Sequence, residues 1–149
     1  MAKPSTTTGF ALTIERTIAA TPERVFEAFT QAEKLTRWFG PASDYGCHVH
    51  LLEPRAGGRY RFELRRPDGG LSVVTGTYEE VSPPRRLVFS WAWEDKPEHM
   101  TSRVIVSLEP KGAGTHLVLV HEQLPSAESS EGHNKGWTGC LDRLVATVR

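Results

Sequence analysis

From Phe10 to Ile18 the sequence FALTIERTI sets Phe10, Leu12, Ile14 and Arg16 in one phase and Ala11, Thr13, Glu15 and Thr17 in the other. A period of two marks a half-buried strand, so the chain is predicted to open on one. Thr21-Pro22-Glu23 follows. A hydroxyl there can cap orphan amides, proline suits the first helical position, and the acid complements the helix dipole. A short helix is predicted from this point, with Val25, Phe26 and Phe29 on one face. A second is expected from about Gln31, carrying Leu35, Trp38 and Phe39 until Gly40-Pro41 stops it.

Between Tyr45 and Gln123 the period of two returns in six segments. Turn chemistry separates them at Pro54 to Gly58, Pro67 to Gly70, Ser82 to Pro84, Asp95 to Pro97, and Gly112 to Gly114. This reads as a long antiparallel meander. In GRYRFELRR, Tyr60, Phe62 and Leu64 alternate with Arg59, Arg61, Glu63 and Arg65, one face dry and the other wet. The dry set is Leu87, Phe89, Trp91 and Trp93 in RLVFSWAWE, and Leu117, Leu119 and His121 in THLVLVHEQ. The same phase rule puts Arg103 and Glu122 outside.

After Leu124-Pro125 the polar stretch SAESSEGHNK leads into GWTGCLDRLVATV, where Trp137, Leu141, Leu144, Val145 and Val148 are spaced as an amphipathic helix. Gly132, Gly136 and Gly139 weaken its first half by roughly 1 kcal/mol each relative to Ala, so they are expected to serve close packing or a mobile entrance. A strand, two short helices, six strands and a long last helix make an α+β architecture, a curved antiparallel sheet of about seven strands wrapped around the C-terminal helix. Such a sheet closes imperfectly, and its poorly filled end is expected to form an apolar cavity.

The 149 residues fit one domain, expected over 10–149 with a disordered arm at 1–9. Eighteen basic and eighteen acidic residues cancel, which removes the global field that draws proteins to nucleic acid or anionic membranes. No apolar run approaches the ~20 residues of a spanning helix, and MAKPSTTTGF resembles neither a secretory signal nor a transit peptide. A cytoplasmic protein is expected. Cys47 and Cys140 are expected to be free thiols.

Trp91, Trp93, Trp137, Tyr60, Phe62 and Phe89 fall on inner faces, suited either to stack against a planar ligand or to fill a core. Trp38 and Phe39 fall where the second helix would cover the cavity mouth. His121 and His133 are candidates to orient a ligand oxygen or to exchange protons near neutral pH; the alternative is a satisfied core histidine. Cys47 points away from His48 and His50 along a strand, so at most two ligands converge there and no metal is expected. Phosphate-loop, nucleophile-elbow, zinc-helix and dinucleotide motifs do not occur, and no cofactor is expected. The seven arginines between Arg55 and Arg86 read chiefly as a solvated outer face.

The ordered motifs IERTIAATPERVFEAFT, LTRWFGP, EPRAGGRYRFEL, GTYEEVSPPRRLVFSWAW and THLVLVHEQL, with the late GW before the terminal helix, resemble the family of activator-of-heat-shock-protein-90-ATPase homologues, from Phe10 to Val148. The resemblance implies a START-like, helix-grip fold, an architecture that hosts transport, binding, catalysis and resistance. Three functions follow as expectations. The first is binding of a small hydrophobic or aromatic molecule, with Trp91, Trp93 and Trp137 in apolar contact, His121 donating orientation, and Trp38 and Phe39 as cover. The second is a protein-interaction module, engaging a chaperone or other protein through the outer face at Arg59 and Arg61. The third is a polyketide-cyclase-like enzyme using His121 and His133. Monomer and homodimer are both left open.

Overall fold

The computed structural model describes residues 10–96 and 101–148; the arm expected at 1–9, the turn residue Pro97 and the terminal Arg149 lie outside the described residues. The elements run β1 (Phe10–Ile18), α1 (Pro22–Thr30), α2 (Ala32–Leu35), β2 (Gly46–Leu52), β3 (Arg59–Arg65), β4 (Leu71–Ser82), β5 (Arg86–Trp93), β6 (Ser102–Lys111), β7 (Gly114–Leu124) and α3 (Ala127–Val148). The strands form one curved antiparallel sheet in the order β1-β7-β6-β5-β4-β3-β2. The meander therefore runs unbroken from β2 to β7, and the first strand is added beside the last.

Local chemistry fixes the early elements as expected. The Thr21 side chain accepts from the Arg24 N–H at 3.3 Å, with Pro22 in the first turn and Val25, Phe26 and Phe29 buried beneath. The second helix is shorter than its apolar spacing implies. It ends at Leu35, and Trp38 and Phe39 follow in turns whose N–H groups return to the Leu35 carbonyl at 3.3 and 3.0 Å. There the Trp38 indole donates to the Ala28 carbonyl at 2.9 Å, tying the corner to α1. Trp38 is 1% exposed, so it belongs to the core and does not cover a cavity mouth.

The alternating strands bury their apolar phase: Tyr60, Phe62 and Leu64 on β3, Leu87, Phe89 and Trp91 on β5, Leu117, Leu119 and His121 on β7. The opposite phase carries charge pairs between strands, among them Arg61 with Glu94 at 2.8 Å and Arg86 with Glu80 at 3.1 Å. Glu122 keeps the expected outer phase but is little exposed. Opposite the step from Phe10 to Leu12, β7 carries the extra residue of a bulge, with Gln123 at a φ of 65°. A bulge bends its strand and re-aims side chains. Glu122 lies opposite Arg103 on the outer side, next to the inward His121, and is buried there beside Arg103, which donates to it at 3.4 Å.

Helix α3 packs on β1, β7 and α1, burying Trp137, Cys140, Leu141, Leu144 and Val148. It starts at Ala127, so most of the polar stretch expected to lead into it is itself helical. Ser126 begins it, its Oγ accepting from the Ser129 N–H at 3.0 Å, while Glu128 lies in the first turn. Gly139 is where the helix crosses the α2–β2 loop: a Cβ there would stand 2.0 Å from the Pro41 carbonyl oxygen.

Candidate functional site

Because α3 packs on β1 and β7, its N-terminal half diverges from the other side of the sheet. A cavity of about 490 Å³ occupies the gap. The sheet side contributes Leu64, Ser72, Trp91 and Trp93, with Arg66 from the β3–β4 turn and Lys96 from beyond β5. Phe39, Pro41 and Tyr45 close one end. The helix side contributes Glu128, Ser129, Gly132, His133, Gly136 and Trp137, and Cys140 lies deeper along it.

Five of the ten residues singled out in the sequence therefore share this cavity: Phe39, Trp91, Trp93, His133 and Trp137. Their rings interlock. Trp91 stands 5.1 Å from Trp137 and 5.5 Å from Trp93 between ring centres, and Phe39 lies 6.2 Å from both Trp91 and Trp137. Trp38, Tyr60, Phe62 and Phe89 instead surround a separate gap of about 20 Å³ inside the core, about the room of one water molecule. Tyr60 is satisfied there, donating to the Ser90 carbonyl at 2.6 Å, and burial holds its phenol well above the ordinary value.

His121 has no exposed surface and does not reach the cavity. An indole nitrogen can only donate. The Trp137 N–H at 3.1 Å therefore makes His121 Nδ1 an acceptor, and Nε2 carries the proton toward Ser102 Oγ at 2.7 Å. Ser102 in turn donates to the Trp91 carbonyl at 3.3 Å. Burial, reinforced by the neighbouring His133, pushes the His121 pKa well below its usual value. The ligand-orienting role expected of His121 is corrected by this geometry: both of its nitrogens are spent holding Trp137 and β6 in place.

His133 takes the place at the cavity. Its Nδ1 lies 2.8 Å from the Ser129 carbonyl, to which it donates, and Nε2 accepts from the Trp93 indole at 3.0 Å. The two imidazoles stand 4.8 Å apart between ring centres. Trp91 differs from the other cavity indoles: its N–H is buried with no acceptor among the described residues. Cys140 accepts from the Gly40 N–H at 3.3 Å. Burial raises its thiol to about 11, and burial together with Cys140 raises Cys47 to about 12, so neither is a nucleophile near neutral pH. Cys47 is half-buried while His48 and His50 are exposed, and His50 bonds Glu63 at 2.9 Å.

A family model described as Activator of Hsp90 ATPase homolog 1-like protein matches residues 19–149. The chain belongs to that family. Among solved structures it is similar to the protein CV1439 of Chromobacterium violaceum, with 29% identity and a TM-score of 0.86 over 93% of this chain and 96% of that one. An AHSA1 protein of Silicibacter pomeroyi is 32% identical, with a TM-score of 0.80 over 92% and 96%. CalU16 of Micromonospora echinospora is 28% identical, with a TM-score of 0.70 over 93% and 75%. No curated protein matches the sequence.

In this member of the Hsp90-ATPase-activator homologues the sequence reading missed the polar part of the site. Arg66, one of the seven arginines expected on the outer face, sits past the end of β3, where strand phase no longer applies. Its guanidinium donates to the Leu71 carbonyl at 3.2 Å and to Ser72 Oγ. Ser126, Glu128 and Ser129 carried a readable signal, a serine followed by an acid in the manner of a helix start. Among the described residues no helix of this family member is long and apolar enough to cross a membrane.

Proposed function

We propose that this protein binds a small hydrophobic or aromatic molecule in the cavity between the sheet and the N-terminal half of α3. The observation that carries the reading is the cavity itself: about 490 Å³ of space walled by Phe39, Trp91, Trp93 and Trp137. Ligand pockets typically measure about 300–1,000 Å³ and combine apolar walls with a few polar groups. Three indoles supply large flat surfaces at little entropic cost. The Trp91 N–H, buried without an acceptor among the described residues, is a group that a ligand oxygen would satisfy. Binding stands ahead of turnover because Trp137 and Trp93 already engage the two imidazoles a cyclase-like reaction would use.

The reading in which the outer face captures a chaperone or another protein is favoured by the family description. Against it, the Arg61 charge it would use is held by Glu94 in two bonds of 2.8 and 3.0 Å.

Tryptophan fluorescence during titration with naphthalene and with decanoate, paired with native mass spectra of the protein purified from its own cells, tests the proposal. Saturable quenching with one molecule bound per chain is expected. A chain that shows neither quenching nor a bound mass overturns it.

A further inference from the structure

The cavity has a charged end, and its walls are uneven in a way that specifies more than hydrophobicity. Among the described residues two cations line it, Arg66 and Lys96, with the carboxylate of Glu128. Arg66 is held in position. One of its nitrogens donates to Leu71 and Ser72 across the β3–β4 turn, and the guanidinium lies over Gly70, where a Cβ would stand 2.0 Å from Nη2. Its ion-pair partner Asp68 is 3.6 Å away and largely exposed, so water screens that pair. The first turn of α3 reaches the same cavity at Ser126, Glu128 and Ser129, and a helix start adds partial positive charge.

Part of the α3 side of the cavity is bare backbone. Gly132 and Gly136 lie one turn apart on α3, both border the cavity, and a Cβ at either would meet nothing within 4 Å. Packing therefore does not require glycine at these positions, unlike Gly139. Each costs the helix roughly 1 kcal/mol relative to Ala, and each leaves open space at the α3 side of the cavity. Glycine permits close approach of a ligand to backbone.

Resting on the binding role proposed above, we infer that the ligand is a flat aromatic molecule carrying an acidic group, its ring lying between the Gly132–Gly136 backbone and the indoles and its anionic oxygens meeting Arg66. A guanidinium pairs with a carboxylate through two parallel donors, and such charge-assisted bonds are about twice as strong as neutral ones.

The test compares 2-naphthoate with 2-naphthalenemethanol, which differ in charge and share a ring, by tryptophan quenching at pH 7 in the wild type and in Arg66→Gln. Naphthoate should bind about tenfold more tightly. Arg66→Gln should erase that advantage, bringing the ratio of the two affinities to about one. In the wild type the same advantage should shrink between about 0.01 and 0.5 M salt, a readout that stands even if the variant fails to fold. Equal affinities for the two probes, or an advantage untouched by salt or by the substitution, overturn the anionic assignment while leaving hydrophobe binding intact. If neither probe binds, nor naphthalene or decanoate, the assignment falls together with the binding role.

Discussion

The Trp137 indole donates to His121 Nδ1 across 3.1 Å, and this single bond selects the tautomer of a histidine with no exposed surface. It links the cavity wall to the sheet, since His121 passes its own proton to Ser102 on the neighbouring strand. Trp137→Phe keeps an aromatic ring and removes the donor. A buried acceptor left without its partner costs about 1–3 kcal/mol, so urea denaturation should show a loss of that size. An unchanged midpoint would mean the bond contributes nothing to the fold.

Acid should weaken the fold through the same residue. His121 is held neutral by burial, with His133 as the titratable group facing it, whereas the unfolded chain protonates histidine below about pH 6.5. The unfolded state then binds more protons. Stability is complete above that value and declines as pH falls, by up to about 1.4 kcal/mol per unit. Urea midpoints at pH 7.5, 6.5 and 5.5 should trace the decline, and His121→Gln should flatten it. The same slope in both proteins would assign the effect elsewhere.

Two glycines of α3 should respond to alanine in opposite directions. Gly139→Ala drives a methyl into the Pro41 carbonyl, 2.0 Å from where its carbon must sit, and overpacking of this kind costs about 1–3 kcal/mol. Gly136→Ala meets open space and should stabilise by up to about 1 kcal/mol through helix propensity. Its methyl enters the cavity, so quenching by naphthalene should weaken as thermal stability rises. A more stable variant with undiminished binding would place the ligand elsewhere.

The cysteines should resist modification in the folded state. With its thiol raised from 9.0 to about 11, Cys140 is about one part in a thousand thiolate at pH 8, against about one in ten at the ordinary value. Ellman's reagent should react with it about a hundredfold more slowly than with a free thiol, and more slowly still with Cys47, whose pKa is raised to about 12. Denaturant should restore both. Rapid reaction of the native protein would show that the α3 wall opens readily.

The period of two made every strand legible, because each strand buries one phase and wets the other, and Thr21-Pro22 marked the first helix by cap chemistry alone. The start of α3 was not legible. A helix announces itself by an apolar stripe, and from Ala127 to Gly136 this one borders a cavity where a stripe would have filled the space. The indoles were legible as inward-facing residues, but which of them would meet open space depended on where α3 diverges from the sheet. His121 illustrates the difference: its phase was right, while its role turned on Trp137 and Ser102, which lie far from it in sequence.

One pairing in the sheet bears on how the chain emerges during synthesis. Among the described strands β1 is made before the others, and its neighbour in the sheet is β7, with Thr17 opposite His116 and Ile14 opposite Leu119. At roughly 5–20 residues per second, a ribosome needs on the order of 5–20 s to deliver that partner. For this interval Leu12, Ile14 and Ile18, which the finished sheet buries, have no partner strand to cover them.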